Sequence, residues 1–257
     1  MPNPQLPDHT PVIIGAGQYV ERLDQPEPPL NPPLQLAAEA CRSALEDAGV
    51  AADGVDAIGV IRLFSDSPGV WQSPFGGSNN PPESVARRLG AAPAHRFYSA
   101  TGGTEPLQMM FDLMRSVAKG ESKLALLTGA EAIASQRFAM RNSMEADWRE
   151  EYDTPFEDRE SDLRFVSMEE LGAGLNLPVR YYATIENLQA FRMGHDTARH
   201  ATYMGQLMAP FSAVAAKNPY SQSPGAFTAE ELVEVGPDNY PFSSPYGKRL
   251  VARDAVN

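Results

Sequence analysis

Apolar positions in the first half of the chain alternate between short runs and helical stripes. Pro11-Val12-Ile13-Ile14-Gly15-Ala16 is a short apolar run closed by small residues, the pattern of a buried strand. Leu34, Ala37, Ala38, Cys41, Ala44, Leu45 and Ala48 then recur at helical spacing, and Gly49 follows where a left-handed residue ends a helix. Residues 55–63 read as the next strand, and residues 68–80, rich in Gly, Ser and Asn, as a long irregular loop. Pro81, Pro82 and Glu83 open a helix that runs through Val85, Ala86 and Leu89 to Gly90, because proline is tolerated in a first helical turn. Residues 95–99 predict a short strand. Leu107, Met110, Phe111, Met114, Val117 and Ala118 mark an amphipathic helix ended by Gly120. Leu124 to Leu127 are apolar without alternation, as in a strand covered on both faces.

The order β-α-β-α-β-α-β predicts an α/β fold with a mostly parallel sheet. Ligands on such sheets collect at the C-terminal ends of the strands. The second half reads differently. Residues 145–170 are densely charged and predict a solvated excursion, residues 180–217 predict one or two helices, and residues 218–245 a long connection.

Composition narrows the function. The chain has 257 residues, 42% hydrophobic and 21% charged, as in globular proteins, and no apolar run approaches the ~20 residues of a membrane span. The first ten residues lack the basic-then-apolar layout of a signal peptide, so a cytoplasmic location is expected. A net charge of −12 argues against a nucleic-acid partner, which needs a basic face. Cys41 is the single cysteine, which excludes an internal disulfide and a cysteine metal cluster, and no metal is expected. It falls on an apolar helical stripe and reads as a small buried hydrophobe.

Gly15-Ala16-Gly17 invites a dinucleotide-binding reading, but the third glycine would fall at Val20 and a proline-rich stretch follows. His195 and His200 are five apart, off one helical face, and read as surface histidines. Ser99-Ala100-Thr101-Gly102-Gly103-Thr104 is more informative. It joins a strand to an amphipathic helix through two glycines, so a ligand can approach backbone amides at a partly positive helix start. That recipe suits an oxyanion or a thioester carbonyl; a tight turn with a Thr cap explains the same residues.

Several segments, in order, resemble the thiolase superfamily, most closely the sterol-carrier-type thiolases and related acetyl-CoA acetyltransferase-like proteins. Gly15-Ala16-Gly17-Gln18 is similar to the end of the family's opening strand, Ala44-Leu45-Glu46-Asp47-Ala48-Gly49 to the end of its first helix, and Val55-Asp56-Ala57-Ile58 to its second strand. Gly129-Ala130-Glu131-Ala132-Ile133-Ala134-Ser135 resembles the family's Gly-Gly-Met-Glu-Ser-Met-Ser segment. Tyr182-Ala183-Thr184-Ile185-Glu186 and residues 211–219 resemble its loop-domain helices. The resemblance implies a thiolase-like βαβαβαββ half over residues 8–135, an inserted, mostly helical loop domain over 136–239, and a return to the core at 240–257. The family's Cys-x-Ser-Gly nucleophile motif aligns with Ser99-Ala100-Thr101-Gly102, so serine stands at the nucleophile position. A serine hydroxyl needs an adjacent base to attack.

The resemblance further implies a CoA thioester as substrate or ligand and no permanently bound cofactor. Thr101, Gly102, Gly103 and Thr104 would bind the substrate, and Arg180, Arg192, Arg199 and Lys217 the CoA phosphates. A homodimer would pair through the strand near residues 97–99. A C-terminal-half chain would supply the family's catalytic histidine and second cysteine. Two readings follow: an enzyme of acyl transfer or carbon–carbon chemistry on CoA thioesters, or a non-catalytic subunit that binds acyl-CoA or a protein. Tyr98 and Tyr246 are candidate proton acceptors by residue type alone.

Overall fold

The computed structural model describes Pro7 and residues 10–67, 72–160 and 166–251. The chain divides into two units, 1–162 and 163–257.

In the first unit the helical stripe beginning at Leu34 forms α1 (Pro33–Ala48), which starts on a proline and ends on left-handed Gly49. Strand β1 (Ala57–Val60) follows, then α2 (Pro81–Leu89), capped by the Asn80 side chain, which accepts from the Glu83 amide. Next come β2 (His95–Tyr98), α3 (Glu105–Ala118), β3 (Ala125–Thr128), α4 (Ile133–Arg141) and the two-residue β4 (Glu157–Asp158). The sheet has the order β3-β1-β2-β4 and all its pairs are parallel. Every chain exit from β1, β2, β3 and β4 therefore lies at one end.

Central β1 is covered on both faces, and its side chains alternate as a pleat requires. Ile58 and Val60 join Leu34, Ala38, Cys41, Val85 and Ala86 in the core under α1 and α2. Ala57 faces Met109 and Leu113 of α3. Gly59 lies on that same face, where an added Cβ would come within 2.8 Å of the Met109 side chain, so glycine admits α3 close to the sheet.

Three expectations are corrected. Residues 11–17 form no strand. They run extended across α1, where Cβ atoms at Gly15 or Gly17 would overlap the carbonyls of Ala44 and Ala40, and Val12, Ile13 and Ile14 point to solvent. Apolar character and terminal glycines suit packing on a helix as well as membership of a sheet. The acidic stretch is likewise no solvated excursion. Trp148 is buried, Glu150 pairs with Arg88, and β4 hydrogen-bonds to β2 at Phe97 and Tyr98. Thus β4 takes the β2 edge expected to pair across a dimer axis. Third, the first unit extends past residue 135, through α4 and β4.

The second unit contains α5 (Met168–Gly172), α6 (Pro178–Met193), α7 (Thr197–Ala215) and α8 (Ala229–Val233). It closes with the antiparallel pair β5 (Pro241–Ser243) and β6 (Tyr246–Gly247), then the short α9 (Lys248–Leu250). The long connection thus holds a helix: α8 starts with a capping box between Thr228 and Glu231. The core of this unit is Val179, Ala183, Met204, Leu232, Tyr246 and Leu250, so residues 240–251 pack with α6, α7 and α8. Residues 161–165, within the acidic stretch, and 252–257, within the expected return to the core, lie outside the described residues, as do 68–71 of the irregular loop.

Candidate functional site

The C-terminal ends of β1, β2 and β3 carry a connected polar cluster. After β1 the chain runs through Ile61 and Arg62 into a 3-10 turn, Phe64–Asp66. After β2 it enters the Ser99–Thr104 turn, and after β3 it reaches Glu131.

Ser99 is fully buried. Its Oγ accepts from the Arg62 amide at 2.9 Å and donates to the Ala100 carbonyl at 2.8 Å, so the hydroxyl ties two loops together. The Arg62 side chain, 6% exposed, donates through Nε to the Ser99 carbonyl at 2.8 Å and pairs with Glu160 at 2.9 Å and with Asp158. Its guanidinium lies 4.2 Å from the centre of the Tyr98 ring. Tyr98 donates its hydroxyl proton to Asp66 Oδ2 at 2.6 Å and accepts from the Leu63 amide at 2.9 Å. Burial, then the Asp66 carboxylate, push the Tyr98 phenol well above its ordinary range. It is a poor proton acceptor.

Glu131 accepts from the Phe64 amide through Oε1 at 2.6 Å. The residue is exposed overall, but its carboxyl rests on the Phe64–Asp66 turn. Burial pushes that carboxyl up to about 7 and the Asp66 charge adds to the effect, against the Phe64 hydrogen bond.

The turn itself is open. Thr101 Oγ1 is 3.3 Å from Glu160 Oε2 and 3.4 Å from Ser67 Oγ. The Gly102 carbonyl accepts from the Glu105 amide and the Thr104 carbonyl from those of Leu107 and Gln108. Gly103 and Thr104 are exposed, and a Cβ at Gly103 would meet nothing within 4 Å. Thr104 precedes α3 without a side-chain cap bond. Among the described residues, the successive amides of Thr101, Gly102, Gly103 and Thr104 donate to no backbone or side-chain acceptor. This is a run of free N–H groups at a helix start.

The other sequence candidates lie in the second unit. Arg180 and Arg192 are exposed on α6, twelve residues and therefore about 18 Å apart along the axis. Arg180 donates to the Gly174 carbonyl. Arg199 sits in the first turn of α7 and Lys217 just past its end, so these cations are strung along the helices. Tyr246 is buried in that unit's core. His200 is also buried and bonds Glu186 through Nε2 at 2.8 Å, with the His195 ring 5.8 Å away. The surface reading fails for His200 because α6 covers it. Helical spacing fails for the pair because His195 lies beyond the Gly194 cap. In the first unit, burial pushes the Cys41 thiol up to about 11, which leaves it inert.

Sequence reasoning missed Arg62, Asp66, Asp158 and Glu160, and took Glu131 only as part of a motif. One signal was available: Arg62 and Glu131 are charges that follow apolar strand runs within two or three residues. No local signal placed Asp158 and Glu160 on Arg62.

No family model and no curated protein matches this sequence. Solved structures do. The chain is 29% identical to the monomeric SCP2-thiolase-like protein type 1 of Mycobacterium smegmatis, with a TM-score of 0.68 over 95% of this chain and 43% of that one. It is 18% identical to a chain of the Ltp2-ChsH2(DUF35) aldolase, with a TM-score of 0.57 over 95% of this chain and 57% of that one. The fold is thiolase-like, mixed α/β around a parallel sheet, and the chain spans about half the length of these structures. Among the described residues no helix is long and apolar enough to cross a membrane.

Proposed function

We propose that this chain binds a CoA thioester with the carbonyl oxygen at the amides of Thr101 to Thr104, and takes part in aldol-type carbon–carbon chemistry. The observation that carries the reading is that run of unpaired amides, next to open Gly103, at the C-terminal end of β2 and the start of a 14-residue helix. Such donors stabilise negative charge that develops on a thioester oxygen. Covalent acyl transfer through Ser99 is less well supported, because its hydroxyl is buried, already bonded on both sides and, among the described residues, without a hydrogen-bonded base. Retro-aldol cleavage needs no acyl-enzyme. The aldolase among the similar structures supports the same choice, and in it Ltp2 is paired with ChsH2(DUF35).

Completion by a second polypeptide, either a C-terminal half or a DUF35-type chain, belongs to this proposal. So do the cytoplasmic location and the absence of a resident cofactor. A homodimer through β2 would require β4 to leave the edge it occupies. We therefore favour a hetero-partner.

The test is to titrate the chain with a β-hydroxyacyl-CoA, with and without its co-purified partner, and to follow binding and thioester products. Turnover that persists in Ser99→Ala supports aldol chemistry, while an acyl adduct on Ser99 overturns it. The burial of Ser99 also favours a second reading, a non-catalytic acyl-CoA-binding subunit. Tight binding without turnover in the reconstituted complex selects that reading.

A further inference from the structure

We propose that Glu131, anchored through Oε1 on the Phe64 amide, is the group that accepts and returns the proton at this thioester site. The inference rests on the thioester reading and deepens it.

The argument starts from the titratable groups at this end of the sheet. Asp158 and Glu160 are engaged by the buried guanidinium of Arg62. Asp66 accepts the Tyr98 hydroxyl proton, and Tyr98 is itself hard to ionise. Ser99 has both its hydrogen bonds made. Of the chain's four histidines, His95 begins β2 at the opposite end of the sheet, His195 and His200 belong to the second unit, and His9 lies outside the described residues. Glu131 is different in kind. Phe64 anchors Oε1, whereas Oε2 has no partner among the described residues, and the residue is open to solvent. One oxygen positions the group and the other is available for chemistry. Its loop is joined to the candidate turn through Phe64–Asp66 and Tyr98, so one hydrogen-bonded unit carries both the amides and the carboxyl.

Its proton affinity suits the task. A carboxyl that titrates near 7 is half ionised at neutral pH and, once protonated, holds the proton more firmly than an ordinary carboxylate, which is the balance general base catalysis needs. Burial at the turn produces the elevation, and Asp66 is the charged neighbour that adds to it. In the elementary step, Glu131 Oε2 takes a proton from the carbon α to the thioester. The C–H electron pair becomes the enolate, whose oxygen is held by the Thr101–Thr104 amides. The step reverses when the carboxyl returns a proton to that carbon.

The experiment incubates the full chain, alone and with its co-purified partner, with propionyl-CoA in heavy water and reads α-deuterium uptake by mass spectrometry, with binding measured separately by calorimetry. Glu131→Gln keeps an oxygen for the Phe64 amide. Uptake that rises through about pH 7, falls about 100-fold or more in Glu131→Gln at unchanged affinity, and moves to lower pH in Asp66→Asn supports the assignment. Equal uptake in Glu131→Gln overturns it and leaves the thioester reading intact. Binding without uptake in the unaltered chain also overturns it. If propionyl-CoA does not bind, the thioester reading fails and carbon-13 NMR of the Glu131 carboxyl decides the proton role. A midpoint near 7 that drops in Asp66→Asn retains that role for another carbonyl ligand, and a midpoint in the ordinary carboxylate range ends it.

Discussion

Asp56 and Glu131 stand at opposite ends of one parallel sheet, and their surroundings move their protons in opposite directions. Asp56 precedes β1 and gathers donors: the Ser122 hydroxyl, the Lys123 amide at 2.8 Å and the Leu124 amide at 3.4 Å. Burial alone would raise its carboxyl, but those hydrogen bonds outweigh it and hold the group below the usual carboxylate range. Glu131 follows β3, has one backbone donor and lies near a second carboxylate, so burial wins and the carboxyl goes up to about 7. The first arrangement fastens the start of β3 to the start of β1. The second leaves a group that gains and loses a proton at neutral pH. In a parallel sheet the strand exits hold loops that are free to vary, and here the N-terminal end carries a carboxylate that fastens strands while the C-terminal end carries the candidate site.

The comparison breaks first if the C-terminal end also depends on its polar contacts for folding. Arg62 is the test. Arg62→Leu removes a cation shared by Asp158 and Glu160 and the donor to the Ser99 carbonyl, and we expect a loss of about 2–3 kcal/mol in urea unfolding. A change below measurement would mean that the carboxylates reach solvent freely and β4 is not held by this cation. Ser99→Ala is expected to cost about 1–2 kcal/mol, because the Arg62 amide loses its acceptor in a buried setting. A nucleophile held ready for attack would instead tolerate the change in stability and lose only activity.

Asp56→Asn comes next, at about 1 kcal/mol near neutral pH, measured in the same way. Its pH dependence has a defined sign. A carboxyl with a lowered folded-state value stabilises above its unfolded value, about 3.9, and that contribution is lost as the pH falls toward the folded value. Asp56→Asn should therefore shrink the gap from the unaltered chain as the medium becomes acidic. A constant gap down to pH 2 would show that the charge at Asp56 contributes nothing.

The sheet was legible because its signals are local. Gly49 and Gly90 end α1 and α2 in the left-handed conformation, prolines open both helices, and Leu124 to Leu127 mark a strand without alternation. The Ser99–Thr104 turn was legible for the same reason. What escaped depends on distant partners. Val12, Ile13 and Ile14 have strand composition, yet only the positions of Ala40 and Ala44 reveal that glycines 15 and 17 lie on a helix. Asp158 pairs with an arginine 96 positions earlier, and nothing in a charged stretch identifies which carboxylate will find a buried cation. Glu131 has an ordinary sequence context; its proton affinity comes from partial desolvation of a carboxyl held on the Phe64 amide and from the Asp66 charge.

The last test separates the two carboxyls most sharply. A folded-state value raised to about 7 means that the folded chain binds a proton the unfolded chain has already released between about pH 4.3 and 7. Stability from Glu131 is therefore fully present below that interval and declines as the pH rises through 7, opposite in sign to Asp56. Glu131→Gln removes the titration while keeping an acceptor for the Phe64 amide, so its unfolding midpoint should decline less between pH 5 and 8 than that of the unaltered chain. The chain's other groups contribute equally to both curves, and the difference between them isolates this carboxyl. Parallel curves would place Glu131 with the ordinary surface carboxylates, and the contrast between the two ends of the sheet would then rest on the amides of the turn alone.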